Sequence, residues 1–561
     1  MKQRWHMLVL LAAVALAYAN TLQNSFTYDD FPYVLNNPAV TNPSLTGFFV
    51  PTKVSNVFRP VMFASFALNW KLGEIHPLGY HLFNLLLHAA VTLLLYLVLR
   101  RLLETMPHSV TLAFVAALLF AVHPIHTEAV ASIVGRSELL AAAFLLAAWL
   151  FHLRDQPLPA LLCFALALFS KESAIAFLPL VLAADYLTAK LKPWGRYVVI
   201  AAIAALYIMV LWTAEGGRFG EASVHFVDNP LAKLPTPWRI LNALRIAWKY
   251  LALQIYPATL SSDYSYNALP TYIHWRYVLH AAVASLAVVA LWIWAMSKRR
   301  SGWALAGAIY FAGFLVTANV LLPTGTIMGE RLAYLPSAGF CLLLALVWVR
   351  LVDYRQALSW ALLATAVVAL GTRTIVRNRD WKTNLTLFSA TVRDAPGSAR
   401  AHSNMGGQYM DQGRLDLAAA EFQTALRIFP DFPDALEFYG IVQSRQGHDQ
   451  EARQLLEHAF SLTQKDNLTY DYRAVNLAAH LIKMGHQDQE ALRILDDAAA
   501  EAPNNPRIWS NRAVVHLRQG EIPQAKADAE TALRLDPLNN QAKNVLNATS
   551  GAATSAVAPV P

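Results

Sequence analysis

From the N-terminus to about residue 376, apolar positions run in continuous blocks separated by short polar connections. The blocks cover residues 5–22, 79–103, 109–123, 128–152, 157–171, 173–189, 196–213, 276–297, 302–322, 335–353 and 356–376. About 20 apolar residues in a helix cross a hydrocarbon core, and only helices and closed barrels satisfy their own backbone there. The pattern predicts an all-α, polytopic membrane bundle over residues 1–376, with a broken helix around 124–138. Two longer connections interrupt it, at 23–78 and 214–275; within the second, 238–256 has the pattern of an amphipathic helix lying along the membrane interface.

Beyond Arg373 the text turns polar, Ala-rich and periodic. Pro396 and Pro430 are 34 residues apart, as are Pro503 and Pro537, which is the tetratricopeptide period of one helical hairpin. Small and packing residues recur where two helices must approach. They are Gly406, Tyr409, Ala418, Phe422 and Ala425, then Tyr439, Gly440, Ala452 and Ala459. After a short insertion near 465–471 come Ala479, Ala491 and Ala498, then Trp509, Ala513, Ala525 and Ala532. About four repeats are therefore expected over 397–547, behind a connector at 377–396 and ahead of a disordered low-complexity tail at 548–561. Such a solenoid offers a concave surface to peptides or partners; a scaffold for self-association is the plainer alternative.

Composition agrees with the membrane reading. Of 561 residues, 56% are hydrophobic and 15% charged, whereas soluble domains are about a quarter charged. The net charge of +8 is no nucleic-acid footprint, because much of it flanks the apolar blocks in alternate connections. These clusters are Lys2 with Arg4, Arg100 with Arg101, Arg154, Lys190 with Lys192 and Arg196, Lys298 to Arg300, and Arg350 with Arg355. Basic loops stay cytoplasmic. The other connections, and the repeats after an odd number of spans, are thus expected on the periplasmic or extracytoplasmic side of an inner or plasma membrane. The segment 214–275 goes outward despite Lys233, Arg239, Arg245 and Lys249. The first block also has the form of a signal peptide ending in "AYAN", and is expected to persist as an anchor. Cys163 and Cys341 sit inside apolar blocks and build neither a disulfide framework nor a thiolate metal site.

Ionisable residues in a membrane are costly and mark sites, and the outward connections collect them. "NSFTYDDFPYVLNNPAV" carries Asp29 and Asp30, and "NVFRPVMF" carries Arg59. "AVHPIHTEAVASIVGRSELL" carries His123, His126, Glu128, Arg136 and Glu138; "LFSKESAI" carries Lys171 and Glu172; "PTGTIMGERLAYLPS" carries Glu330, Arg331 and Tyr334. Cations from four distant segments at one face suit a lipid phosphate, which Arg grips with two parallel hydrogen bonds. Each residue also has an ordinary reading, as a solvated loop acid, a neutralising pair at a helix end, or a Lys reaching the interface. His123 and His126 have a ligand-like spacing, but Pro124 lies between them and no third ligand presents itself, so no metal site is expected.

Taken together, "YDDFPYVLNNPAV", "FRPV", "HPIHTEAVASIVGRSELL", "SKESAI", "GERLAYLPSAGF" and "RNRDWKTNLTLF" resemble the transmembrane and tetratricopeptide repeat-containing O-mannosyltransferases. The likeness runs in matching order over nearly the whole chain, which reads as a bacterial-type relative with fewer repeats and an Ala/Pro-rich tail. It implies a GT-C glycosyltransferase bundle that takes a sugar, a hexose such as mannose, from a polyprenyl-phosphate carrier and transfers it to Ser or Thr of a protein on the external face. It further implies Asp29 and Asp30 as catalytic base and acceptor-positioning group, and Arg59, Arg136, Lys171 and Arg331 as holders of the donor phosphate. His123, His126, Glu128, Glu138, Glu172, Glu330 and Tyr334 would support these or contact sugar and acceptor. The lipid-linked donor is the one expected co-substrate; a divalent cation is not favoured. Two alternatives stay open at this point: a glycan or lipid acceptor, and a non-catalytic membrane-anchored scaffold.

Overall fold

A computed structural model describes residues 2–50, 57–214, 216–217, 224–298, 301–465 and 469–550. It is all-helical, with no strand among the described residues, and divides into two compact units, residues 1–396 and 397–561.

In the first unit each apolar block holds a helix: Lys2–Tyr18, Pro77–Leu102, Ser109–Val122, Arg136–Leu153, Pro157–Ser170, Phe177–Leu187, Trp194–Ala214, Leu279–Ser297, Ser301–Phe314, Pro336–Val352 and Gln356–Asn378. Among the described residues six helices are long and apolar enough to cross a membrane, and a seventh if the pair Ser109–Val122 and Pro124–Ala131, bent by 54°, is one span. The chain is a multi-pass membrane protein. Some of the eleven blocks are shorter as helices than as apolar text. Pro157–Ser170 has 14 residues, a rise of about 21 Å against a hydrocarbon core of about 30 Å.

The shortfall has local causes. The block 128–152 is split into a turn, Thr127–Ala131, and the helix from Arg136. Asn84 Nδ2 donates to the carbonyls of Ser132 (2.9 Å) and Ile133 (3.3 Å) at the break. Gly135 is required there, because a Cβ would stand 2.3 Å from the Ala129 carbonyl oxygen. The block 173–189 becomes helical only at Phe177, after a tight turn over Glu172–Ala176. The block 302–322 ends at Phe314. Beyond it, Asn319 has φ +59°, accepts from Asn229 Nδ2 (2.7 Å) and donates to the Ile327 carbonyl (3.2 Å). Residues 123–133 are buried throughout, so protein covers the backbone of the first break.

The bundle packs around one apolar cluster that includes Leu10, Val14, Tyr18, Leu95, Leu119, Trp149, Phe164 and Phe177. The amphipathic segment forms the helix Thr236–Ile255. Its Ala243, Ile246, Tyr250 and Leu253 pack in a second cluster with Ile125, Phe314 and Leu332. After the last bundle helix come a single turn, Arg379–Trp381, and the helix Asn384–Asp394, whose N-terminus is closed by reciprocal bonds between Thr383 and Thr386.

The second unit has four helical hairpins: Ala399–Asp411 with Leu415–Ile428, Pro433–Gln446 with Asp449–Ser461, Tyr470–Met484 with Asp488–Glu501, and Pro506–Arg518 with Ile522–Leu535. A further helix, Asn540–Thr549, follows and carries order two residues into the stretch expected to be a tail. The rest of that tail, 551–561, and residues 466–468 of the insertion lie outside the described residues. Gly406 shows why small residues recur, since a Cβ there would lie 2.8 Å from the Phe422 ring.

Candidate active site

The loop after the first helix builds the acid pair. Thr27 N donates to Asp30 Oδ2 (2.8 Å), and Asp30 N donates back to the Thr27 carbonyl (2.9 Å). Between them Tyr28 adopts φ +47°, a left-handed conformation that is rare for a bulky residue. A wide turn over Phe31–Leu35 follows, and then Asn37 caps the short helix Pro38–Thr41 by accepting from Ala39 N (3.0 Å).

The two acids differ sharply. Asp30 is fully buried, and its other oxygen, Oδ1, accepts from Val134 N at 3.1 Å, tying the loop to the bend before Arg136. Burial pushes its carboxyl up to about 7, against the pull of the Thr27 and Val134 amides and with the help of the Asp29 charge. Asp29 is only half-buried, and its charge acts on Arg331 and on the Tyr33 hydroxyl.

Three ion pairs join residues of separate connections, and charges among them reach Tyr33 and Asp29. Arg59, at the start of the helix Pro60–Gly73, donates from Nη2 to both oxygens of Glu172 (3.1 and 3.3 Å). Lys171 pairs with Glu138, both almost fully buried. Arg331 pairs with Glu128, whose second oxygen also accepts the Arg331 amide at 2.9 Å. The groups share one field. Glu128 above all, then Asp29 and Glu138, hold the Arg331 guanidinium protonated against its burial. Burial and then Asp29 raise the Tyr33 phenol, while Arg59 and Arg331 pull it back. Arg331 is the most open of the three cations, its side chain 35% exposed against 16% for Arg59 and 4% for Lys171.

Arg136 is not in this group. It is fully buried, and its guanidinium donates to Asn84 Oδ1 (2.9 Å), Asn69 Oδ1 (2.6 Å), the Tyr80 carbonyl (2.9 Å) and the Ser65 carbonyl (3.2 Å). The Phe66 and Phe83 rings flank it at 4.6 and 4.5 Å. All three guanidinium nitrogens are committed to protein, which corrects the expectation that it holds a donor phosphate: its place is to lock the bend to two neighbouring helices.

The histidines His123 and His126, and Tyr334, are buried. His123 accepts from Ile125 N at Nδ1 (3.1 Å) and donates from Nε2 to the Gln254 carbonyl (2.9 Å). His126 bonds Ser337 Oγ through Nε2 (2.7 Å) and packs on Phe120 and Tyr334. The Tyr334 hydroxyl donates to His88 Nδ1 (2.7 Å), as it must, since His88 Nε2 faces the Ala121 carbonyl (3.2 Å). Glu330 is fully buried and accepts at one oxygen from Ser261 N (2.6 Å) and the Tyr264 hydroxyl (2.7 Å). Burial lifts its carboxyl to about 7 despite Arg377 nearby.

Several known proteins align with most of this chain. A Protein O-mannosyl-transferase of Caenorhabditis elegans is 32% identical over 446 residues, 76% of this chain and 63% of that one. It is a relative of that protein. Protein O-mannosyl-transferase TMTC3 of Homo sapiens is 26% identical over 642 residues, 94% of this chain and 68% of that one. The chain thus spans roughly two thirds of the length of these relatives. Tetratricopeptide repeat family models match residues 376–431, 409–470 and 506–539. Among solved structures, YrrB, described as a TPR protein with an unusual peptide-binding site, is similar over 36% of this chain and 97% of its own, at 16% identity and a TM-score of 0.25.

Sequence reading passed over Tyr33, Asn84, Asn69 and His88. Tyr33 had a signal, standing one helical turn after Asp29 inside the quoted stretch. The others are polar residues in apolar helices, and their partners are known only once the helices pack.

Proposed function

We propose that this chain is a membrane glycosyltransferase that moves a hexose, mannose by resemblance to its relatives, from a polyprenyl-phosphate carrier to a Ser or Thr hydroxyl of a protein outside the cytoplasm. The observation that carries this reading is the half-open Asp29 carboxylate in the field of Arg331, the most open of three cations drawn from separate connections.

In the reaction, Asp29 accepts the proton of the acceptor hydroxyl as its oxygen attacks the anomeric carbon. The new bond forms to that oxygen, the bond from the anomeric carbon to the phosphate oxygen breaks, and the configuration inverts in a single displacement. The departing lipid phosphate gains charge, which Arg331 and Arg59 stabilise where water is scarce. Glu128 and Glu172 keep those guanidiniums charged and oriented before the donor arrives. Lys171, closed in by Glu138, adds field without direct contact. Asp30 shapes the loop and takes no proton from the acceptor. The repeats favour a polypeptide acceptor over a glycan.

The test is transfer of radiolabelled mannose from a defined polyprenyl phosphate to Ser/Thr peptides by purified protein. Transfer by wild type and its loss in Asp29→Asn support the reading. A donor-competent wild type that labels no peptide sinks it.

A further inference from the structure

The stretch Arg377–Phe388, "RNRDWKTNLTLF", takes no part in this chemistry, yet it holds segments that build the site. Asn378 Nδ2 donates to the Ala17 carbonyl (2.9 Å) and to Asn20 Oδ1 (2.8 Å), at the end of the first helix. Ser25 N donates to the Lys382 carbonyl (2.9 Å). Tyr28 N donates to Asn384 Oδ1 (2.8 Å), and the Tyr28 ring meets Phe388 edge-on at 5.6 Å. On the other flank Arg377, fully buried, lies 2.9 Å from Asp380 and 3.9 Å from Glu330, the residue before Arg331. Arg373 and Thr391 reach the Pro257 carbonyl (3.0 Å) and Ser262 Oγ (2.5 Å) of the segment that feeds Glu330 through Ser261 and Tyr264.

The Tyr28 contact matters most. A left-handed φ in a bulky residue is unfavourable alone and persists only where its surroundings over-determine it. Here the strained residue immediately precedes Asp29, and its amide points away from the loop to the first residue of the helix Asn384–Asp394. We propose that Asn384 is a positioning residue: by accepting the Tyr28 amide it holds the left-handed turn that presents Asp29 to Arg331. The inference rests on the reading of Asp29 as the base. It assigns a task to a segment that sequence marks and the chemistry leaves idle. Displacement of a catalytic group by about 1 Å costs on the order of 10²-fold in rate, so a single side-chain acceptor is enough to govern turnover.

The experiment uses the full-length chain in lipid nanodiscs, as wild type, Asn384→Ala and Asn384→Asp; Asp keeps the acceptor oxygen. Amide hydrogen exchange is followed over residues 26–35, and transfer kinetics are measured at varied donor lipid. Asn384→Ala is expected to speed exchange in 26–35 by about 10-fold or more while the bundle helices keep theirs. Its kcat should fall about 10- to 100-fold with the donor KM within about 2-fold, and Asn384→Asp should restore both. Placing Tyr28→Gly beneath Asn384→Ala should shrink the loss, since glycine adopts the turn unaided. Unchanged exchange in 26–35, an unchanged kcat, or a rise in exchange across the whole bundle with a lower Tm each overturn the proposal. Absence of transfer by wild type overturns the functional reading instead, and the two failures are told apart because the exchange arm needs no sugar.

Discussion

The connections at the two ends of the membrane bundle hold charge in opposite ways. At the end of the basic clusters, Glu104 pairs with Arg101 and Lys190, and Asp155 with Lys192 and Arg196. Those acids are 37% and 63% exposed, so pairing there removes little water and contributes little. At the other end Glu128, Glu138, Glu330, Lys171 and Arg377 are buried, each stripped of a hydration shell at a cost of several kcal/mol per ion. Exposed pairs decorate a membrane edge. Buried ones, drawn from several connections, are costly and mark a candidate site.

Substitutions can break or sharpen that contrast. The largest effect belongs to Asp29→Asn, which should lower kcat by about 10²–10⁴ in the radiolabel assay. Lys171→Met comes next. It strands Glu138 and should cost about 3–5 kcal/mol in denaturant or thermal melts, whereas Lys171→Met with Glu138→Leu should recover most of it. A single-variant cost below about 1 kcal/mol would erase the difference between the ends.

Asp30 gives a smaller, pH-dependent signal. Its folded carboxyl sits near 7, while an unfolded Asp ionises near 4. Its contribution to stability is therefore complete below about pH 4 and is lost as pH rises through about 7. The stability gap between wild type and Asp30→Asn should be wider at pH 5 than at pH 8; equal gaps would contradict the burial argument. Least is expected of Lys190→Ala, which should cost under about 1 kcal/mol and leave transfer unchanged.

Much of this organisation is legible in the chain itself. Apolar length marks the helices, basic clusters mark one set of connections, and the 34-residue spacing from Pro396 to Pro430 marks a hairpin. The family resemblance picks out the charged motifs. The division of labour within them is not legible. Asp29 and Asp30 are neighbours of one type, and it takes the packed bend, whose Val134 amide bonds Asp30, to leave one buried and the other half-buried. Arg136 precedes an apolar helix just as a membrane-edge cation does, and its acceptors Asn69, Asn84 and Tyr80 lie more than fifty residues upstream. The break within 124–138 is legible in the chain, but the hydrogen bonds that hold it through Asn84, and those of Asn319 beyond Phe314, are tertiary and have no local signal.

The bond from Tyr28 to Asn384 joins residues 356 positions apart. A ribosome feeding this chain into a bilayer delivers the acid-bearing loop early and its anchor only after every apolar block has emerged. The loop that carries Asp29 can therefore close onto this anchor only once the chain beyond the last apolar block has emerged.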